Sequence, residues 1–143
     1  MECEFPTENA TSDEVKALLK RVKTIAVVGF SPDETKDSHR VGKYLIDHGY
    51  TVYPVYPKED VICGQKVYRS LDEIPGTIDL VNVFRKPDVV PMIVEKIKAI
   101  GNVNALWLQK GIVNNAAAEE AKKAGLEVVQ NKCIMVEHRG LGL

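Results

Sequence analysis

Lys36, Ser38, His39 and Arg40 bring a hydroxyl, an imidazole and two cations into five residues. They stand directly ahead of Val41, Tyr44, Leu45 and His48, which recur at helical spacing. A helix N-terminus favours anions through its free N–H groups and its dipole. Serine and arginine add hydroxyl and guanidinium donors there, which is the chemistry of a phosphate site. Each charged hydrogen bond to phosphate contributes about 1.5–3 kcal/mol. The competing reading is a plain serine cap with solvated basic neighbours. Lys58, after a run of β-branched and aromatic residues, is a second anion contact. Val83-Phe84-Arg85 ends another such run with a large ring and a guanidinium, suited to stacking on a nucleotide and pairing with it; Phe84 reads equally well as core. Trp107 reads as core, and Gln109 after it as a site residue. Cys133 is either an inert buried thiol or a reactive one.

These groups share one placement: each follows an apolar run short enough to be a buried strand. Ile25–Val28 is the first, stopped by Gly29 and followed by Phe30-Ser31-Pro32. Thr51–Val55 is the second and leads into Tyr56-Pro57-Lys58. Ile78–Phe84, Asn104–Leu108 and Leu126–Val129 are the third, fourth and fifth. Helical patterns lie between them. Val15, Leu18, Leu19 and Val22 form one face, with Ser12 as N-cap. Val89, Val90, Ile93, Ile97 and Ile100 form another, with Pro87 in its first turn and Gly101 closing it. Asn114 caps a third, built on Ala117, Ala121 and Ala124. Residues 58–76 hold an extended piece at Val67 and Tyr68 and a one-turn helix capped by Ser70. Asn131-Lys132-Cys133 leads into Ile134–Val136. The pattern predicts one α/β domain over residues 12–143 after a loose lead-in over residues 1–11. Its expected form is a single Rossmann-like, doubly wound, parallel five-stranded sheet with helices on both faces, in the order 3-2-1-4-5. Ligands of such sheets bind beyond the carboxyl ends of the strands.

Several functions are disfavoured. The dinucleotide fingerprint needs three glycines and an acid after the second strand; here Gly29 stands alone and Pro54-Val55-Tyr56-Pro57 has no carboxylate, which speaks against NAD. No nucleophile elbow, Walker A loop or acid–base pair is visible, so no catalytic residue is assigned. Cys3, Cys63 and Cys133 lie far apart without a metal-ligand spacing, and no metal site is expected. A formal net charge of −1 offers no global field for nucleic acid or an anionic membrane. No apolar run reaches the ~20 residues of a spanning helix. The N-terminus is acidic and polar, unlike a signal peptide, and points with the odd cysteine count to a reducing, cytoplasmic setting.

Taken together, AVVGFS, S-H-R-V-G-K-Y-L, G-Y-T-V-Y-P-V-Y-P, G-Q-K-V-Y-R-S-L, D-L-V-N-V-F-R and W-L-Q-K-G are specific. From about Val15 to Cys133 the chain resembles the stand-alone CoA-binding domain proteins, relatives of the CoA-binding domain of the succinyl-CoA synthetase α subunit. The resemblance implies that the Gly29–Ser31 turn and Lys36–Arg40 hold the phosphates of coenzyme A. It implies that Tyr56-Pro57-Lys58 and Val83-Phe84-Arg85 flank the adenosine. Two positions depart from the family pattern: Val55-Tyr56-Pro57 where V-N-P is usual, and Asn131-Lys132-Cys133 where D-R-C is usual. The resemblance does not reach the synthetase domain that carries the phosphorylated histidine, so synthetase activity is not implied. The expected function is binding of coenzyme A or an acyl-CoA, as carrier, sensor or subunit. The alternative is an NAD(P)-linked or CoA-disulfide redox enzyme using Cys133.

Overall fold

The structure, a computed structural model, describes residue 6 and residues 9–142. Helix α1 (Ser12–Arg21) begins with a capping box in which the Thr11 hydroxyl accepts from the Glu14 N–H and the Glu14 carboxylate from the Thr11 N–H. The N-cap is therefore Thr11, one residue before the Ser12 expected, because only Thr11 has Glu three positions on. Strand β1 (Thr24–Val28), helix α2 (Asp37–Asp47) and strand β2 (Thr51–Val55) follow, then a hairpin of β3 (Val61–Ile62) and β4 (Gln65–Lys66). Strand β5 (Leu80–Val83), helix α3 (Val90–Ile100), strand β6 (Ala105–Leu108), helix α4 (Asn115–Lys123), strand β7 (Glu127–Val129) and helix α5 (Ile134–Arg139) complete the chain. Asn114 caps α4 as its type predicts, its Oδ1 accepting from the Ala117 N–H.

Five strands form one parallel sheet in the order β2-β1-β5-β6-β7. Counted along the chain this is 2-1-3-4-5, which corrects the expected 3-2-1-4-5. The reason lies in residues 56–78. Tyr68 bridges Val55, the Tyr56 N–H donates to the Tyr68 carbonyl, and the Tyr68 N–H donates to Pro54. The returning chain thus occupies the outer edge of β2, so the third parallel strand takes the open side of β1. Ile25 to Val28 then face Leu80 to Val83 in register. The switch point lies between β1 and β5.

Alternate residues feed two cores, as the period of a strand dictates. Val28, Val81, Val83, Leu106 and Leu108 pack with Val90, Val94, Ile97 and Ala121 under α3 and α4. Ile25, Val27, Leu80 and Trp107 pack with Leu18, Val41, Leu45 and Ile134 under α1, α2 and α5. The helices therefore do cover both faces. Gly42 lets α2 close onto the sheet: a Cβ there would sit 2.2 Å from the ring of Phe30. Trp107 is fully buried and its Nε1–H donates to the Lys132 carbonyl at 2.7 Å.

Of the expected lead-in, residues 1–5, 7 and 8 lie outside the described residues, Cys3 among them, as does Leu143. Asn9 is tied to the sheet, its side chain both donating to and accepting from the backbone of Gln130. Among the described residues no helix is long and apolar enough to cross a membrane.

Candidate functional site

The carboxyl ends of three strands are stitched together where the topology reverses. The Gly29 N–H donates to the Val55 carbonyl and the Phe84 N–H to the Val28 carbonyl, both at 2.9 Å. Gly29 has φ +89°, and a Cβ on it would lie 2.9 Å from the Phe84 carbonyl oxygen. Only glycine allows the chain to leave β1 this close to β5. Two clefts open on this edge. One, of about 350 Å³, is lined by Val28, Gly29, Val55, Tyr56, Pro57, Arg69 and Arg85. The other, of about 480 Å³, runs from Asp37, Arg40 and Val41 past Phe84, Arg85, Lys86, Gln109, Lys110 and Ile112 to Cys133, Met135 and Val136. Arg85 belongs to both.

The turn after β1 is held by the first turn of α2. The Ser38 hydroxyl accepts from the Ser31 N–H at 3.0 Å, and His39 Nδ1 lies 2.9 Å from the Ser31 carbonyl. Ser38 and His39 are both buried. Ser38 is therefore not the cap of α2; Lys36 is, and its side chain caps nothing. The N–H groups of Asp37 and Ser38 have no acceptor among the described residues. Arg40 donates to the Thr35 carbonyl at 3.1 Å and pairs with Asp37. In the intervening loop Asp33 accepts from the hydroxyl and N–H of Thr35, which hold its carboxyl below the usual range.

The remaining expected site residues divide by exposure. The ring of Phe30 is fully buried, edge-on to His39, and Val55 and Val83 are core, so these three offer the edge their backbone alone. Tyr56 and Phe84 are half-buried, in contact with the core on one side. Pro57, Lys58 and Arg85 are exposed. Gln109 is buried, and its Oε1 accepts from Asn82 Nδ2 and from the Ile134 N–H, which fixes the start of α5 beside the larger cleft. Cys133 is half-buried on that cleft's margin.

Residues the sequence argument passed over also reach the edge. Arg69 donates to the carbonyls of Tyr56, Lys58 and Glu59, so it shapes the loop that carries Lys58. Its signal was its place in G-Q-K-V-Y-R-S-L. Lys86 and Lys110 line the larger cleft, and the side chains of Lys58, Arg85, Lys86 and Lys110 make no hydrogen bond or ion pair among the described residues. Cys63 is the second half-buried thiol; burial pushes it up, and its sulfur lies 3.5 Å from His39 Nε2. Among the described residues no three His, Cys, Asp or Glu side chains gather as a metal site. The arrangement offers free cations, free helix N–H groups, a glycine turn and an apolar-walled cleft side by side.

Comparison with known proteins gives consistent matches. The model of a family described as CoA binding domain matches residues 23–139. The uncharacterized protein YneT of Bacillus subtilis is 40% identical over 131 residues, 92% of this chain and 96% of that one. The alpha subunit of the ADP-forming acetate–CoA ligase II of Pyrococcus furiosus is 30% identical over 120 residues, 77% of this chain but 26% of the subunit. A solved structure of a hypothetical protein from Pyrococcus horikoshii superposes with a TM-score of 0.89, at 39% identity and with all of both chains covered.

Proposed function

Since the chain belongs to the CoA-binding domain family, we propose that it binds coenzyme A, or an acyl-CoA, at the carboxyl edge of β1, β2 and β5. Its role is that of a cytoplasmic carrier, sensor or subunit. The observation that carries this reading is the crevice at the β1–β5 switch point, where Gly29 brings backbone within reach of a ligand and Arg85 separates two clefts. The free N–H groups of Asp37 and Ser38, with Lys36 and Arg40, receive the pyrophosphate, as helix N-termini do. Arg85 and Lys58 reach the other phosphate, and Tyr56 and Phe84 bracket the adenosine. The cleft walled by Val41, Ile112 and Met135 adds apolar surface beside those cations. The residues fit the group: cations without partners stand next to apolar wall, which a ligand of charged head and neutral arm requires.

The ligase relatives carry CoA in their names, and the chain spans about a quarter of such a subunit. The CoA step of that chemistry is what the shared region supports. Titration calorimetry with coenzyme A, acetyl-CoA, NAD and NADP tests the reading. Coenzyme A and acetyl-CoA are expected to bind and the nicotinamide nucleotides not to; tighter binding of NAD than of coenzyme A overturns it.

A further inference from the structure

Cys63 stands where a two-residue hairpin ordinarily has asparagine. Ile62 and Gln65 close the pair, and Cys63 and Gly64 between them have φ +50° and +76°. That is the conformation for which Asn-Gly is preferred. The turn carries the thiol onto the first turn of α2, with Sγ 3.5 Å from His39 Nε2. His39 is 8% exposed, and its Nδ1 lies 2.9 Å from the Ser31 carbonyl. A carbonyl only accepts, so Nδ1 carries the proton, and Nε2 of the neutral ring turns its lone pair to the thiol. Nucleophile, base and an acceptor that orients the base therefore stand in line. Burial pushes the Cys63 thiol up, Asp47 and Glu34 push the same way, and Lys43 opposes them. The sulfur thus needs a proton acceptor to react near neutral pH, since the thiolate is the nucleophile. Cys133 has none: nothing among the described residues bonds its sulfur.

We propose that Cys63 and His39 form a thiol–disulfide exchange centre whose substrate is a nucleotide-bearing disulfide, coenzyme A disulfide. The choice of substrate rests on the coenzyme A reading above, because the Ser31 carbonyl that orients His39 belongs to the turn assigned to the phosphates. His39 Nε2 takes the Sγ proton, and the thiolate attacks one sulfur of the disulfide. A Cys63–S–S–CoA bond forms and the original S–S bond breaks. The departing coenzyme A thiolate takes the proton back from His39. Cys63 ends oxidised to the disulfide level and one coenzyme A sulfur reduced to a thiol, so no other oxidant is needed.

The test is mass spectrometry with peptide mapping of the full chain incubated at neutral pH with coenzyme A disulfide or glutathione disulfide. Expected is one reductant-reversible coenzyme A adduct on Cys63, formed at least tenfold faster than any on Cys133, faster than with glutathione disulfide, and retained in Cys133→Ser. His39→Asn keeps a short polar group toward Ser31 and lacks Nε2. It should slow the adduct at least tenfold at neutral pH, and the deficit should close in alkaline buffer, where the thiol ionises unaided. A purely structural His39 would leave no such pH-dependent rescue. Calorimetry with reduced coenzyme A on Cys63→Ser separates the two readings. Binding there, with no Cys63 adduct on the wild type, overturns this inference alone. Absence of coenzyme A binding overturns the functional reading and, with it, the substrate assigned here. Preferential labelling of Cys133, or equal rates with the two disulfides, also overturns it, and the wild-type comparison needs no variant to fold.

Discussion

Replacing Arg85 with alanine separates the fold from the site. The side chain is exposed, stands between the two clefts, and has no hydrogen bond or ion pair among the described residues. Removing it costs the fold little, since surface changes away from such networks stay within about 0.5 kcal/mol. Facing a phosphate, it loses a charged hydrogen bond of about 1.5–3 kcal/mol. At ~1.4 kcal/mol per decade that is roughly 10- to 150-fold in Kd. Arg40 supplies the contrast. Its guanidinium already donates to the Thr35 carbonyl and pairs with Asp37, the Arg40 and Asp37 side chains being 55% and 78% exposed. A phosphate must compete with that carboxylate, so part of what the ligand gains is offset, although an exposed pair holds only about 0–1 kcal/mol. Arg40→Ala should therefore weaken coenzyme A less than Arg85→Ala, by about tenfold at most on this scale. Calorimetry at low salt and at about 0.5 M salt, with circular dichroism to confirm folding, reads both; the Arg85 deficit should shrink as screening sets in. Unchanged affinity in folded Arg85→Ala, or a larger loss in Arg40→Ala, refutes the reasoning.

Two further outcomes concern stability. Gly42→Ala places a methyl group 2.2 Å from the Phe30 ring, and overpacking of that kind destabilises by about 1–3 kcal/mol; a denaturant midpoint equal to wild type would show that α2 is not held by this contact. His138, on α5, is buried against Tyr44, His48 and Tyr50, and burial, then His48, lowers its pKa from 6.5. The unfolded chain binds that proton more readily than the folded one, so stability should fall as pH drops below 6.5 toward the lowered value and level off beneath it. His138→Gln should lose this component of the pH profile, and an unaltered profile between neutral and mildly acidic pH would remove His138 as its source.

Most strand and helix positions, and the Asn114 cap, were legible because period and punctuation are local. Ile25–Val28, Gly101 and Asn114 announce themselves within a few residues. Strand order was not local: it turned on Tyr68 lying along β2, a contact between residues that no periodicity links. The hairpin at 61–66 escaped because two-residue strands have no pattern, and a cysteine at its turn hides the Asn-Gly signal. The short helix Ile134–Arg139 was hidden for the same reason. For the candidate site, residue type singles out Ser38, His39, Arg40, Lys58 and Arg85, and burial divides them. Ser38 and His39 brace the turn, and Phe30 is core. Arg69 acts through backbone carbonyls, which residue type does not reveal.

Strand order also decides which cation meets the glycine turn. In the expected order the first strand would lie beside the fourth, and Gln109 would face Gly29. In the folded chain the third parallel strand lies there, the Phe84 N–H is bonded to Val28, and a Cβ on Gly29 would come within 3.4 Å of the Arg85 side chain. The turn thus gains a guanidinium in place of a carboxamide. The larger cleft beside it carries Arg40, Arg85, Lys86 and Lys110 against the single carboxylate of Asp37, in a chain whose formal net charge is −1. Charges that cancel over the molecule leave no far field, but at the length of a pyrophosphate the local excess remains, inside a Debye length of about 8 Å at physiological salt. On the proposed reading, such an edge would hold a small, multiply charged ligand by contact and give an extended polyanion no long-range pull.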